Sequence, residues 1–318
     1  MQNTETRGRL LALFTVIIWG TTFVSTKVLL TGFTPLEILF FRFVLGLVFL
    51  FVLCPHKLPK RTFDQEKTLA AAGLCGICLY YLLENIALTY TMASNVGVII
   101  CVAPFFTALV NHLFMKQREP IRRNFFIGFL VSMAGICLIS FNGTSLHFSP
   151  VGDLLSVLAA VVWSFYSNLV KKISSWGWNT ILTTRRVFAY GILFMIPALG
   201  VLPFRLDLER LCNPVWLGNL LFLGLGASAI CFVTWNGAVK LLGAVKTSVF
   251  IYLAPVVTVI LSALILHETI TPLAVAGTLL TLSGLVFSSK RQGLPKQPLS
   301  AVSGQRSAAE RKNCRQFF

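Results

Sequence analysis

The sequence predicts an all-α integral membrane protein of ten transmembrane helices, arranged as two inverted five-helix repeats. Three observations lead there. Across 318 residues, charged side chains make up 12% and hydrophobic ones 56%, with a mean hydropathy of +0.78; a soluble globule carries about 25% charged residues to coat its surface. Ten stretches are long and apolar enough to cross a hydrocarbon core of ~30 Å, which takes about 20 residues each. The second five of these stretches repeat the first five in order.

In chain order the spans fall at residues 10–30, 35–53, 69–88, 93–115, 125–141, 154–173, 181–202, 215–236, 244–266 and 273–288. The first follows Arg7 and Arg9 in the manner of a signal peptide. It is too long for one, contains Trp19 and lacks a small-residue cleavage site, so it reads as a retained helix. Short connections separate the rest, which leaves no room for an inserted soluble domain. The eight cysteines lie mostly inside apolar runs and read as small fillers, not as a disulfide framework. Residues 1–9 form a short N-terminus, and 290–318, rich in Gly, Pro, Ser and basic residues, read as a disordered basic tail.

The net charge of +16 has a topological reading. Alternate gaps hold twenty-one Lys and Arg residues on the side of the N-terminus, including Lys57, Lys60, Arg61, Arg122, Arg123 and Lys172. The opposite side holds two, Arg205 and Arg210, offset by Asp207 and Glu209. Basic residues stay cytoplasmic, so both termini are expected inside, facing anionic lipid. That placement accounts for the charge without nucleic acid, which is not expected as a partner.

Self-comparison defines the repeat. A shift of 144 residues carries Trp19 onto Trp163, Thr22 onto Tyr166, Lys27 onto Lys171 and Arg42 onto Arg186. A shift of 151 carries Asn85 onto Asn236 and Ala103-Pro104 onto Ala254-Pro255; one of 149 carries Glu119 onto Glu268 and Gly128 onto Gly277. Each unit has five spans, an odd number, so the second unit enters the membrane from the opposite side. Inverted repeats are a recurrent plan of secondary transporters.

These residues resemble a known family. The Trp-Gly of the first span (IIWGTTFVSTK), the Ala-x-x-Pro of the fourth and ninth (CVAPFFTAL, YLAPVVTVI) and the Glu followed nine residues later by Gly (EPIRRNFFIG, ETITPLAVAG) look like EamA-type transporters of the drug/metabolite transporter superfamily. The resemblance covers about residues 8–289, with repeats over 10–141 and 154–289. It implies a ten-helix carrier, often an exporter of amino acids or other small metabolites. The sequence departs from the pattern at Ser164, which stands where the second repeat would have glycine.

Candidate transport residues follow from depth and symmetry. Pro104 and Pro255 fall near mid-span, where each removes an N–H and displaces the carbonyl four residues earlier, at Ile100 and Ile251. Irregular backbone at that depth must face protein or a wet cavity, so the prolines read as cavity hinges or as static kinks. Trp19 and Trp163 also sit near mid-span, away from the interfacial belt. With Thr22 and Tyr166 they are expected to line the two walls of a substrate cavity, or to space helices. Glu84 is the one acidic side chain well inside a span, and Asn85 and Asn236 are repeat-related neighbours; intramembrane ionisable groups are functional candidates by default. A proton carried by Glu84, or a reach to the interface, are both open.

Lys27, Lys171, Arg42 and Arg186 are gate or anion candidates, with snorkelling, pairing with Glu37 and capping of freed carbonyls as alternatives. Gly128, Ser132 and Gly135 form a small-residue stripe repeated by Gly277, Thr281 and Gly284, suited to close helix packing within the chain or in a homodimer. No enzyme activity, cofactor or metal is expected. Cys75-x-x-Cys78 lies inside a span without a His cluster, His112, His147 and His267 are scattered, and no Gly-rich phosphate loop is present. The expected function is a secondary transporter of a small organic metabolite, an amino acid or a drug-like amphipathic compound, exporting by alternating access across a bacterial plasma (inner) membrane. The competing class is a nucleotide-sugar or sugar-phosphate exchanger.

Overall fold

Backbone groups in hydrocarbon must be satisfied within their own segment, which favours helices throughout. The computed structural model describes residues 2–91, 93–115, 123–140, 149–205, 207, 209–257 and 272–289. Within them helix occupies all ten expected spans: α1 (Gln2–Leu29), α2 (Pro35–Leu53), α3 (Phe63–Tyr90), α4 (Ala93–Ile100 and Ala103–Phe114), α5 (Arg123–Ser140), α6 (Pro150–Ser174), α7 (Thr180–Leu199), α8 (Pro214–Leu242), α9 (Ala244–Val257) and α10 (Pro272–Ser289). Among the described residues, seven of these contain apolar helices of 18 residues or more that can cross a membrane, and the described apolar stretches of α5, α9 and α10 are Arg123–Leu138, Ala244–Val257 and Val275–Ser288. The tail over 290–318, His147 and His267 lie outside the described residues.

Several helices start earlier than their apolar stretch. α3 begins at Phe63, not near residue 69, because Thr62 and Gln65 form a capping box that satisfies the free N–H groups there. This brings Asp64, Glu66 and Lys67 into helix. Thr34 and Glu37 form the same device at α2, with Pro35 in the first turn. Ser149, Asn179 and Asn213 cap α6, α7 and α8. Gly243, at φ +92°, makes the tight turn from α8 into α9, a conformation that excludes most side chains.

Packing repeats with the sequence. α1 lies on α8 as α6 lies on α3, α2 on α8 as α7 on α3, and α2 meets α7 and α5 meets α10 across the midline. α3 and α8 each widen into a π-helical stretch, Leu74–Leu79 and Phe222–Ile230. Just ahead of the first and inside the second are Gly73 and Gly224, 151 positions apart, where a Cβ would come within 2.6 Å of the Val187 carbonyl and 2.9 Å of Leu45. The two glycines therefore let equivalent helices approach α7 and α2.

The ends of the bundle are defined by contacts. At the end carrying the N-terminus, here the terminus face, Gly8 packs against Leu242, Lys172 donates to the Thr68 hydroxyl at 3.1 Å, and Lys240 donates to the Trp178 carbonyl at 3.3 Å. At the other, the distal face, the α1–α2 turn meets the α7–α8 loop.

The small-residue stripe finds its partner in the same chain. A Cβ at Gly128 would sit 2.6 Å from the Gly284 carbonyl, one at Gly135 would sit 2.5 Å from the Thr281 nitrogen, and one at Gly284 would sit 2.5 Å from the Ser132 nitrogen. α5 and α10 thus pack backbone to backbone, and the stripe is not a surface left over for a second copy.

Candidate substrate cavity

Between the halves lies a cavity with an empty volume of about 550 Å³, the open solvent at its mouth included. Trp19, Thr22 and Phe23 face it from α1, Tyr80, Tyr81 and Glu84 from α3, and Trp163 from α6. The remaining wall is backbone-rich, formed by Gly97, Ile100 and Cys101 of α4 and by Ile251 and Ala254 of α9. Glu84, Gly97 and Phe23 lie toward the distal ends of their helices, so the cavity occupies the distal half.

Trp19 and Trp163 meet at the pseudo-two-fold axis, ring centroids 5.3 Å apart and nearly perpendicular. They touch each other as well as the cavity. The Trp19 indole donates to the Ala227 carbonyl at 2.9 Å, inside the widened turn of α8. Trp163 stacks edgewise or tilted on Tyr80 at 4.8 Å and Tyr166 at 4.9 Å. With Phe232 and Trp235, both fully buried, these rings form an aromatic floor toward the terminus face.

Tyr166 is in this floor and not in the cavity wall: its hydroxyl donates to Asn236 Oδ1 at 2.8 Å, and Asn236 Nδ2 donates to the Thr184 hydroxyl at 2.9 Å. The chain joins α6, α8 and α7. Asn85 makes a corresponding tie from α3 to α2, donating to the Pro35 carbonyl at 3.1 Å. The Thr22 hydroxyl turns back to the Trp19 carbonyl at 2.8 Å.

The prolines interrupt their helices. α4 breaks at Cys101–Val102 and restarts at Ala103, while α9 tightens into a 3-10 turn over Val249–Leu253 before Ala254. Pro104 and Pro255 are themselves buried; the residues just before them, Ile100, Cys101, Ile251 and Ala254, face the cavity. The Cys101 thiol donates to the Gly97 carbonyl of its own helix at 3.1 Å, and its sulfur lies 3.8 Å from the Ile251 carbonyl at the other break. Gly20 lets α1 approach the Ala254 carbonyl, 3.2 Å from where a Cβ would be, whereas Ser164 is buried with its hydroxyl donating to its own helix at Val161.

Glu84 is 2% exposed and faces the cavity together with Tyr80, one turn earlier on α3. Arg42 is fully buried, its Nε donating to the Ser228 hydroxyl at 2.9 Å and its guanidinium lying 4.4 Å from the Tyr81 ring centre. Glu37 is not its partner. That carboxylate pairs with Arg210 through both oxygens, at 3.0 and 3.2 Å, and accepts from the backbone N–H groups of Thr34 and Arg205. Arg210 also donates to the Gly32 carbonyl at 2.7 Å, and its guanidinium is held above the ordinary arginine range by the Glu37 hydrogen bond. This distal clasp pins the α1–α2 turn to the α7–α8 loop.

A second clasp lies at the terminus face. Arg186 Nε donates to Glu66 at 2.7 Å, with Arg61 and the Tyr190 hydroxyl on the same carboxylate. Arg185 donates to the carbonyls of Cys54 and His56. The two clasps occupy related places, the start of α2 and the start of α7, with acid and base exchanged. Lys27 donates to the Leu88 carbonyl at 2.6 Å, and Lys171 is half-buried at the end of α6. None of Lys27, Arg42, Lys171 and Arg186 lines the cavity.

Residues 6–141 and 150–290 each match the EamA-like transporter family. The chain belongs to that family. An uncharacterized transporter of Archaeoglobus fulgidus is 28% identical over 91% of this EamA-like chain and 99% of its own length. A probable terminal-alkyne amino-acid exporter of Streptantibioticus cattleyicolor is 24% identical over 87% of the chain and 91% of its own. A solved crystal structure, 18% identical, shares the fold with a TM-score of 0.68 over 89% of this chain and 96% of that one. This EamA-like protein is therefore a multi-pass membrane transporter, not an enzyme, with a small-molecule substrate.

Tyr80, Tyr81, Cys101, Phe232 and Arg210 were absent from the sequence-based candidates. Tyr80 had a signal, its spacing of four from Glu84 on one helix face. Tyr81 had one too, its spacing of three from Glu84, whereas Cys101, Phe232 and Arg210 join the rest through elements far apart in sequence.

Proposed function

We propose that the chain is a secondary transporter that moves a small organic metabolite, an amino acid or a drug-like amphipathic compound, by alternating access. The halves at 10–141 and 154–289 tilt about the Trp19–Trp163 contact, with Pro104 and Pro255 at the helix breaks that yield. The observation that carries this reading is the placement of the cavity on the axis between inverted repeats, walled by aromatic rings from both. Aromatic faces accept apolar bodies and organic cations. The amino-acid exporter among the relatives agrees with this cargo class. With the basic residues of the terminus face in the cytoplasm, both termini are cytoplasmic in a bacterial plasma (inner) membrane. The cavity then lies on the outer side, as the release state of an exporter requires.

The sugar-phosphate exchanger reading has less support, because Lys27 and Arg186 are engaged with Leu88 and Glu66 and lie off the cavity. Counterflow in proteoliposomes tests the proposal: saturable uptake accelerated by solute on the far side is expected. Linear, unsaturable flux means a channel, and acceleration by a nucleoside monophosphate means the exchanger.

A further inference from the structure

We infer that Arg42 and Glu84 together read a zwitterion, Glu84 taking the cargo's ammonium group and the terminal nitrogens of Arg42 taking its carboxylate. This rests on the carrier reading above and adds the charge pattern of the cargo. Arg42 is fully buried, yet only its Nε is used, by Ser228; both terminal nitrogens are buried without a hydrogen-bond partner. A guanidinium presents its donors as a planar fork that fits a carboxylate through two parallel bonds. Leaving most of that fork empty inside a membrane protein is costly unless something completes it.

The fork lies behind the cavity wall, against the Tyr81 and Phe43 rings. Tyr81 lines the cavity, and the guanidinium overlies that ring at 4.4 Å. Turning the Tyr81 side chain aside opens Arg42 to a bound molecule. Glu84 is three residues further along α3, on the same helix face, and already faces the cavity. Arg42 behind the Tyr81 ring and Glu84 in the cavity wall supply one basic and one acidic group, so a site holding both is balanced. A cargo of net charge upsets that balance. A zwitterion does not: each of its ends meets the opposite fixed charge, and the aromatic wall takes the side chain.

The test uses the purified full chain and three probes of one shape: phenylalanine, phenethylamine, which lacks the carboxylate, and 3-phenylpropionate, which lacks the ammonium group. Binding is read by quenching of tryptophan fluorescence. In the unmodified protein phenylalanine is expected to bind at least about tenfold more tightly than either analogue, the effect of one charge-assisted pair. Arg42→Gln is expected to abolish the advantage over phenethylamine and keep that over 3-phenylpropionate; Glu84→Gln is expected to do the reverse. Arg42→Lys, which keeps charge but loses the fork, is expected to fall between. Should Arg42→Gln fail to fold, the three affinities of the unmodified protein and the Arg42→Lys ratio still decide. Phenethylamine binding as tightly as phenylalanine, ratios unmoved by the variants, or no binding of any probe overturns the inference. Saturable counterflow of some other solute would in those cases leave the carrier reading standing, whereas its absence for every solute removes both.

Discussion

At the scale of single residues, the side chains that hold the cavity in shape are those with a buried polar bond between helices. The Tyr166–Asn236–Thr184 chain is the clearest case, since all three residues are buried and belong to three helices. Tyr166→Phe removes the donor to Asn236 Oδ1 and leaves a buried acceptor alone, at a cost of about 1–3 kcal/mol. The expected outcome is a lower unfolding temperature for detergent-purified protein, measured by thermal shift; an unchanged temperature means Asn236 finds another donor. Trp19→Phe removes in the same way the partner of the Ala227 carbonyl and also shrinks the aromatic wall. It is expected to weaken both stability and the binding of aromatic solutes, the second read by titration at a temperature where the variant is folded. Asn236, Trp19 and Trp163 were legible because the repeat singles them out in pairs. Their partners were not: Thr184, Ala227 and Phe232 carry no mark in the sequence, and only the folded contacts between distant helices select them.

At the scale of elements, α5 and α10 form a pair whose contact leaves no space for a side chain. Between hydrocarbon-embedded helices the attraction is packing, not the hydrophobic effect, so a group that forces them apart removes most of it. Gly135→Leu is expected to separate the pair and lower the yield of folded, monodisperse protein by size-exclusion chromatography. An equal change at Gly218, where a Cβ would meet nothing within 4 Å, is expected to be tolerated. The helix bounds were legible where apolar runs set them. They were missed at α3, where a capping box extends the helix into charged sequence that the hydropathy pattern treats as a loop. The clasps are the other elements with a testable role. Glu37→Gln weakens the distal tie, and Glu66→Gln weakens that at the terminus face. Cysteines introduced beside each clasp are expected to label faster with a membrane-impermeant reagent only at the end whose tie was weakened. Equal labelling at both ends in both variants would show that the ties do not gate.

At the scale of the whole molecule, the alternation of ten helices places the α2–α3 and α6–α7 connections at one face and the α7–α8 loop at the other. Cysteines at positions 57 and 174 are expected to react from the same side of the membrane, and one at 205 from the opposite side. Reaction of 57 and 174 from different sides would refute the inverted repeat. This large-scale plan was the most legible part of the sequence, because span count, repeat and charge asymmetry each register over many residues. The charge pairs were the least legible: Glu37 was weighed as a partner for Arg42, and the fold gives it to Arg210 across 173 positions of chain.

The two clasps differ in how far water reaches them. Side-chain exposures are 1% and 18% for Glu37 and Arg210, against 21% and 38% for Glu66 and Arg186. Dissolved electrolyte screens exposed pairs far more than sheltered ones, so a rise in ionic strength loosens the Glu66 tie while leaving that of Glu37 nearly intact. If the ties gate, one compartment's salinity sets the pace: potassium chloride added on the terminus face is expected to speed turnover, and the same addition on the opposite face to change it little.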